Sequence, residues 1–243
     1  MSQSLDVPKL DEHLAMLGRL ASTLSHEIRN PLGALFVLID VLAEELQQPA
    51  ADHSAQVTQI LADMRTMLSR MDDLVQDYLS LVRLAELHLE PVELGAIVET
   101  YAQEMHKQCA CRGITLRLEG LANLGQVHLH QNAFRRVLIN LMQNAIDAMP
   151  QGGELTLCGQ QADSWACLAV QDTGEGIPAD QLSQLFVPFH TTKSDGTGLG
   201  LYVVREILAA HGGVITVTST PGTGTTCLVM LPLVALESRL YTS

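Results

Sequence analysis

A chain of 243 residues, 47% of them hydrophobic and 17% charged, can bury a core in one large or two modest domains and is too apolar to stay disordered. With 27 Asp and Glu against 14 Lys and Arg, its formal net charge of −13 and lack of a long basic run exclude a nucleic-acid footprint. Five cysteines (Cys109, Cys111, Cys158, Cys167, Cys227) form no CxxC pair and follow no secretory signal, so a reduced, cytoplasmic compartment is expected and a metal site at "CAC" is not.

The first predicted element is a heptad helix from about Leu10 to Gln47. Leu10, Leu17, Leu24, Pro31 and Leu38 recur every seven residues, and Leu14, Ala21, Ile28, Leu35 and Leu42 form the companion series four positions on. In this phase His26 falls at position f, facing water, with Glu27 at g and Asn30 at c, one turn along the same face. A lone histidine there would be a solvated surface residue; a His–Glu–Asn cluster directly before a proline is a different pattern. Pro31 costs an internal hydrogen bond and is expected to bend the helix. The apolar run "PLGALFVLI" is closed by Asp40 and is too short to span a bilayer, so no membrane segment is expected.

After a turn in "QQPAADHS", Ile60, Met64, Met67, Met71, Leu74, Tyr78, Leu81 and Ala85 mark a second helix, with Leu61, Leu68, Val75 and Val82 widening its stripe. The two make an antiparallel hairpin whose arms are on the order of 50 Å long. Its apolar face is too broad for one partner helix, which predicts a homodimeric four-helix bundle over residues 1–90. The methionines read as adaptable core.

Pro91 in "HLEPVEL" is expected to end the helical pattern. Residues 91–243 then read as helix ("ELGAIVETYAQEMHKQC"), strand ("ITLRLEG"), helix ("HQNAFRRVLINLMQNAIDAM"), strands ("GGELTLCGQ", "WACLAVQD"), a glycine-rich region, helix ("LGLYVVREILAAHG") and strands ("GVITVTST", "TTCLVMLPL"). That is an α/β sandwich with a mostly antiparallel sheet, and the chain as a whole is α+β.

Four features of this second half carry chemistry. Asn140 and Asn144 share a helix face and offer neutral oxygen ligands of the kind that suit a Mg²⁺ otherwise held by water and phosphate. In "DTGEGIP", Asp172 ends a strand and can accept from an exocyclic amine, while Gly174 and Gly176 allow either a close ligand or a tight turn. In "TTKSDGTGLGL", Lys193 precedes Gly196, Gly198 and Gly200 at a helix start able to hold phosphate, with neither Walker nor dinucleotide spacing. In "PGTGTT", Thr225 stands at the edge of the last strand pair, where a hairpin turn is the alternative.

Together and in this order, these features resemble the asparagine box, the two glycine boxes, the phenylalanine box ("LFVPFHTTK", with Phe186 and Phe189) and the final GT motif of the sensor histidine kinase family. "SHEIRNP" resembles that family's phosphoacceptor box, H-E-x-x-N-P. The resemblance covers roughly residues 10 to 235, and the short lid "PFHTTKSDGTGLGL" looks like the nitrogen-regulatory kinase type.

The resemblance implies a dimerisation and phosphotransfer hairpin followed by a Bergerat-fold (GHKL) ATP-binding domain. It implies ATP and Mg²⁺ as cofactors, a homodimer, and the receiver domain of a response regulator as partner. By the same resemblance His26 is phosphorylated, Glu27 polarises it, and Asn30 positions water for dephosphorylating the regulator. Asn144 is the Mg²⁺ ligand beside Asn140, Asp172 reads adenine, and Lys193 with Gly196, Gly198 and Gly200 holds the phosphates. His130, where the family usually has Asp, and His190, where it usually has Phe, are departures. His13, His53, His88, His106, His128 and His211 take no role. The first ten or so residues are too few for a sensor domain, so the stimulus is expected through a partner or through the rest of a longer chain. A kinase-derived scaffold without phosphotransfer, or a GHKL ATPase, is the alternative.

Overall fold

A computed structural model of the chain describes residues 7–46, 54–193 and 196–234. The side chains of Leu10, His13, Leu14 and Ala85, the turn from Gln47 through Pro49 to His53, and lid residues Ser194 and Asp195 lie outside the described residues. The chain divides into two compact units that part between Val82 and Arg83.

The first unit is a pair of helices, α1 (Val7–Glu45) and α2 (Ser54–Val82), packed on one another. Leu17, Leu24 and Leu35 of the two heptad series are buried, as are Ile60, Leu74 and Leu81 of the α2 stripe. Leu20, in neither series, is buried as well, because a 3.6-residue helix drifts across a 3.5-residue pattern. Helix α1 continues on both sides of Pro31. The residues expected to widen the α2 stripe do not enter the core of the hairpin: Leu61, Leu68, Val75 and Val82 are each at least 37% exposed. On α1, Leu32, Phe36, Val37, Ile39 and Val41 are exposed too.

Pro91 does not end α2. The helix stops at Val82, one turn of 3-10 helix follows at Arg83–Glu86, and Pro91 lies within strand β1 (Glu90–Glu93). The backbone there is drawn into an antiparallel ladder with β3 (Gln126–Leu129), a ribbon with too few apolar positions to stand out in the sequence.

The second unit is an α/β sandwich, as the sequence patterning predicts. Helix α3 (Leu94–Cys111) leads to β2 (Ile114–Glu119), and after β3 come α4 (Gln131–Asp147), β4 (Gly153–Ala162) and β5 (Trp165–Asp172). A single helical turn, α5 (Ala179–Leu182), precedes α6 (Gly200–Ala210), β6 (Val214–Thr220) and β7 (Gly224–Pro232). The five-stranded sheet has the order β2-β4-β5-β7-β6. Only β2 and β4 pair in parallel; the other three pairs are antiparallel.

Alternation along the strands puts Leu155 and Leu157, Ala166, Leu168 and Val170, and Val229 and Leu231 in the buried layer. The apolar stripes of α3, α4 and α6 supply the other side, with Val98, Phe134, Leu138, Met142, Val203 and Ile207 all fully buried. The outer face of the sheet is polar, with Thr156, Gln171, Thr218 and Thr226 in one row across four strands.

Candidate functional site

On the first unit, the heptad phase holds for the residues that matter. His26 and Asn30 are exposed on α1 one turn apart, and Glu27 between them is half-buried. The imidazole is therefore presented to water from a rigid helix, as the f position requires.

On the second unit, the end of β5 carries the best-defined polar group. Asp172 Oδ1 accepts from the backbone N–H of Gly174 at 2.9 Å and from that of Thr225 at 3.1 Å. Asp172 and Thr225 face one another in the β5–β7 ladder, so one carboxylate oxygen joins the glycine turn to the last strand. Among the described residues no hydrogen bond reaches Oδ2. Burial pushes the Asp172 carboxyl above its ordinary 3.8, against the two backbone donors, which pull it down. The neighbouring Cys227 thiol is raised to about 12 by its own burial and by the Asp172 charge, so it stays neutral.

The turn itself is fastened by contacts the sequence does not announce. Ser219 Oγ accepts from the Ile177 N–H at 2.8 Å, donates to Gly224 O at 3.0 Å and lies 2.9 Å from Thr225 Oγ1. Glu175 N donates to Ala148 O, and Gly222 N to Glu175 O. A Cβ on Gly174 would lie 2.4 Å from Ala148 O, and one on Gly176, at φ +69°, 2.2 Å from Thr220 O. Glycine is thus demanded by the chain's own close approach before any ligand is considered.

Asn140 and Asn144 sit on one face of α4, both half-buried. Among the described residues the buried Asn140 Nδ2 has no hydrogen-bond partner, an uncompensated donor that would cost about 1–3 kcal/mol unless something accepts from it. A Cβ on Gly200 would lie 2.9 Å from Asn140 Oδ1, so the start of α6 closes directly on this amide. The N-cap residue of α6, Leu199, has an apolar side chain that makes no cap hydrogen bond, and a helix start suits an anion.

Ahead of α6, the lid is pinched at its neck. The Phe189 N–H donates to Gly198 O at 2.8 Å, with both residues at positive φ (+63° and +67°). Arg205 lies over the rings of both Phe186 and Tyr202, at 6.0 and 5.1 Å, and ties the phenylalanine box to α6. Lys193 and Gly196 fall in the segment Thr191–Thr197, which stands outside the compact body of the second unit. Within the second unit the fold gathers Asn140 with Gly200, and Asp172 with Gly174 and Thr225.

A purine nucleotide fits these groups. The half-buried carboxylate offers Oδ2 to an amine, and the Asn140 amide and the start of α6 offer donors to phosphate. Among the described residues no three His, Cys, Asp or Glu side chains lie close enough to hold a metal. A Mg²⁺ would then rest on the Asn144 amide oxygen, water and phosphate, which is how that ion is commonly held.

Residues 129–235 match the family model for the histidine kinase-, DNA gyrase B- and HSP90-like ATPase, and residues 16–87 match that for the His kinase A (phospho-acceptor) domain. The chain belongs to the sensor histidine kinase family. It is 36% identical over 228 residues to the sensor histidine kinase ZraS of Escherichia coli O157:H7, covering 94% of this chain and 49% of that protein. Against sporulation kinase A of Bacillus subtilis (strain 168) it is 31% identical over 227 residues, covering 91% and 35%. It thus spans about half the length of ZraS.

Among solved histidine kinases, full-length ShkA in complex with AMPPNP superposes with a TM-score of 0.61 at 28% identity, covering 88% of this chain and 45% of that one. ThkA in complex with the response regulator protein TrrA has a TM-score of 0.70 at 21% identity, covering 92% and 64%, a likeness of fold. Among the described residues, no helix is long and apolar enough to cross a membrane.

Asn at position 172 would still accept both backbone hydrogen bonds through Oδ1 while removing a half-buried charge. A raised carboxyl pKa penalises the ionised form above that pKa, and the penalty disappears toward the ordinary 3.8. Asp172→Asn should therefore melt at or above the wild-type temperature at neutral pH, and the gap should close as the pH falls into the carboxylate range. Calorimetry across pH checks this; a lower melting temperature for the variant at neutral pH would show that the charge stabilises the fold.

Proposed function

We propose that the chain is the catalytic core of an ATP-dependent protein histidine kinase in a two-component system. The observation that supports it best is a water-exposed His26 on a phosphoacceptor helix, carried in one chain with an ATPase-type sandwich. In this reading residues 1–90 form the dimerisation and phosphotransfer domain and residues 91–243 the catalytic domain, working in the cytoplasm. A bound Mg·ATP supplies an electrophilic γ-phosphorus with ADP as leaving group.

Asp172 accepts from the adenine amine, with Gly174, Gly176 and Thr225 shaping the wall around it. Asn140 donates to phosphate, Asn144 ligates Mg²⁺, and Lys193 with Gly196, Gly198 and Gly200 closes over the phosphates. A neutral imidazole nitrogen of His26 attacks phosphorus as the bond to the ADP oxygen breaks, and the Glu27 carboxylate accepts the proton from the other ring nitrogen, leaving a neutral phosphorylated imidazole. The phosphoryl group then passes to an aspartate on the receiver domain of a response regulator, and Asn30 orients water for the reverse duty of dephosphorylating it. Signals reach this core from an upstream sensor domain or protein.

The exposed heptad series Leu61, Leu68, Val75 and Val82, with Leu32, Phe36 and Ile39 on α1, supports a homodimer closed into a four-helix bundle. Light scattering on the purified chain should give twice the monomer mass, and substituting Leu68→Lys should shift it toward monomer. A monodisperse monomer at micromolar concentration removes this part of the reading.

With γ-labelled ATP and Mg²⁺, the wild type should acquire an acid-labile, base-stable label, and His26→Ala should acquire none while still binding nucleotide. Label persisting at another residue, or ATP hydrolysis without label, would favour a plain ATPase. Asn30→Ala should keep autophosphorylation within about tenfold, roughly 1.4 kcal/mol in the barrier, yet leave the phosphorylated regulator long-lived. Equal loss of both activities would mean that Asn30 supports the helix and not a water.

A further inference from the structure

Two histidines outside the reading above link the helices that frame the nucleotide groups. His130 is the N-cap of α4, and its Nδ1 accepts from the Ala133 N–H at 3.2 Å. The backbone N–H of the same His130 donates to His211 Nε2 at 3.0 Å. His211, just past the end of α6 and only 4% exposed, donates from Nδ1 to Ile207 O at 2.7 Å. The chain of bonds runs from a carbonyl in the last turn of α6, through both residues, to the first turn of α4.

Each bond specifies a protonation state. With its Nδ1–H committed to Ile207 O, His211 can accept at Nε2 only while that nitrogen carries no proton, and His130 can cap only while Nδ1 carries none. An imidazolium has no acceptor, so protonating either ring turns an attraction into two facing donors. A positive charge at the start of α4 also opposes the helix dipole. At the far end of the same helix pair, Gly200 closes on Asn140, so the spacing of α4 and α6 bears on the asparagine face.

We propose that His130 and His211 are positioning residues that form a clasp of neutral imidazoles between α4 and α6, and that mild acid opens it. Burial pushes the His211 ring below its ordinary 6.5, and the His130 charge acts in the same direction, against the Ile207 carbonyl, which raises it. A histidine lowered in this way stabilises the fold fully above 6.5 and loses that contribution as the pH falls from 6.5 through the lowered value. The other charged or titratable groups on the elements around the clasp are Glu90 and Glu93 on β1, His128 on β3, Arg135, Arg136 and Asp147 on α4, and Arg205 and Glu206 on α6. Of these, His128 points to solvent, Arg135 is held by Glu104 at 2.8 Å and Arg205 by Glu206 at 3.0 Å. None of them figures among the causes acting on His211.

The test reads amide protection in the full chain, so its outcome is independent of phosphotransfer. Hydrogen exchange at the backbone amides of His130 and Ala133, corrected for the intrinsic pH dependence, is followed by NMR from about pH 7.5 down to about pH 4.5, so that the range extends well below the ordinary imidazole value from which the His211 ring is lowered. In the wild type, protection at both should fall about fivefold or more, the loss of one N-cap. His130→Asn keeps an acceptor that does not titrate, so protection at Ala133 should stay within about twofold over the same range. Wild-type protection that does not change with pH overturns the clasp by itself, even if the variant fails to fold. So does a His130→Asn profile that falls as steeply as the wild type.

Discussion

Asp172 holds the second unit's functional end together through one oxygen. By accepting from Gly174 and Thr225 at once, Oδ1 pins a glycine turn to the strand that faces it, and the turn is braced in addition by Ser219 and by the carbonyl of Ala148. The arrangement works only with a carboxylate or amide at the last residue of β5 and with glycines where backbone meets backbone at less than the width of a methyl group. Holding a charge in a half-buried place has a cost, visible as the raised carboxyl pKa, and two charge-assisted hydrogen bonds offset part of it. Among the described residues, the second oxygen makes no such bond.

The first unit is organised by the opposite logic. Its core is a narrow seam of leucines, and its reactive candidate is a side chain that the seam does not use. A histidine at the f position needs no pocket, no perturbed environment and no partner in the folded chain. What the helix contributes is rigidity and a fixed direction, with Asn30 one turn away on the same face. The apolar residues left exposed on both helices give this unit more hydrophobic surface than a two-helix hairpin can cover.

Within the second unit, the pair α4 and α6 meets at two places. Asn140 meets Gly200 where α6 begins, and His130 meets His211 where α6 ends. At the first contact a donor is buried with no partner among the described residues, and at the second two imidazoles carry a relay of hydrogen bonds between the helices.

The sequence by itself determined what local periodicity and strand ends can encode: the two helices, the exposure of His26, the layered second domain, the shared face of Asn140 and Asn144, and Asp172 at the end of a strand. A side chain's face follows from its position in a repeat of 3.6 or 2 residues, so these need no knowledge of distant segments. Tertiary structure alone decided the β1–β3 ribbon that takes in Pro91, the exposure of the Leu61 series, the bracing by Ser219, and the bond from His130 to His211. The ribbon, the Ser219 bracing and the His130–His211 bond are meetings of backbone or polar atoms far apart in the chain, and a hydrogen bond between residues separated by tens of positions leaves no periodic trace in either one. The Leu61 series is exposed because the one helix packed on α2 covers only part of its apolar stripe.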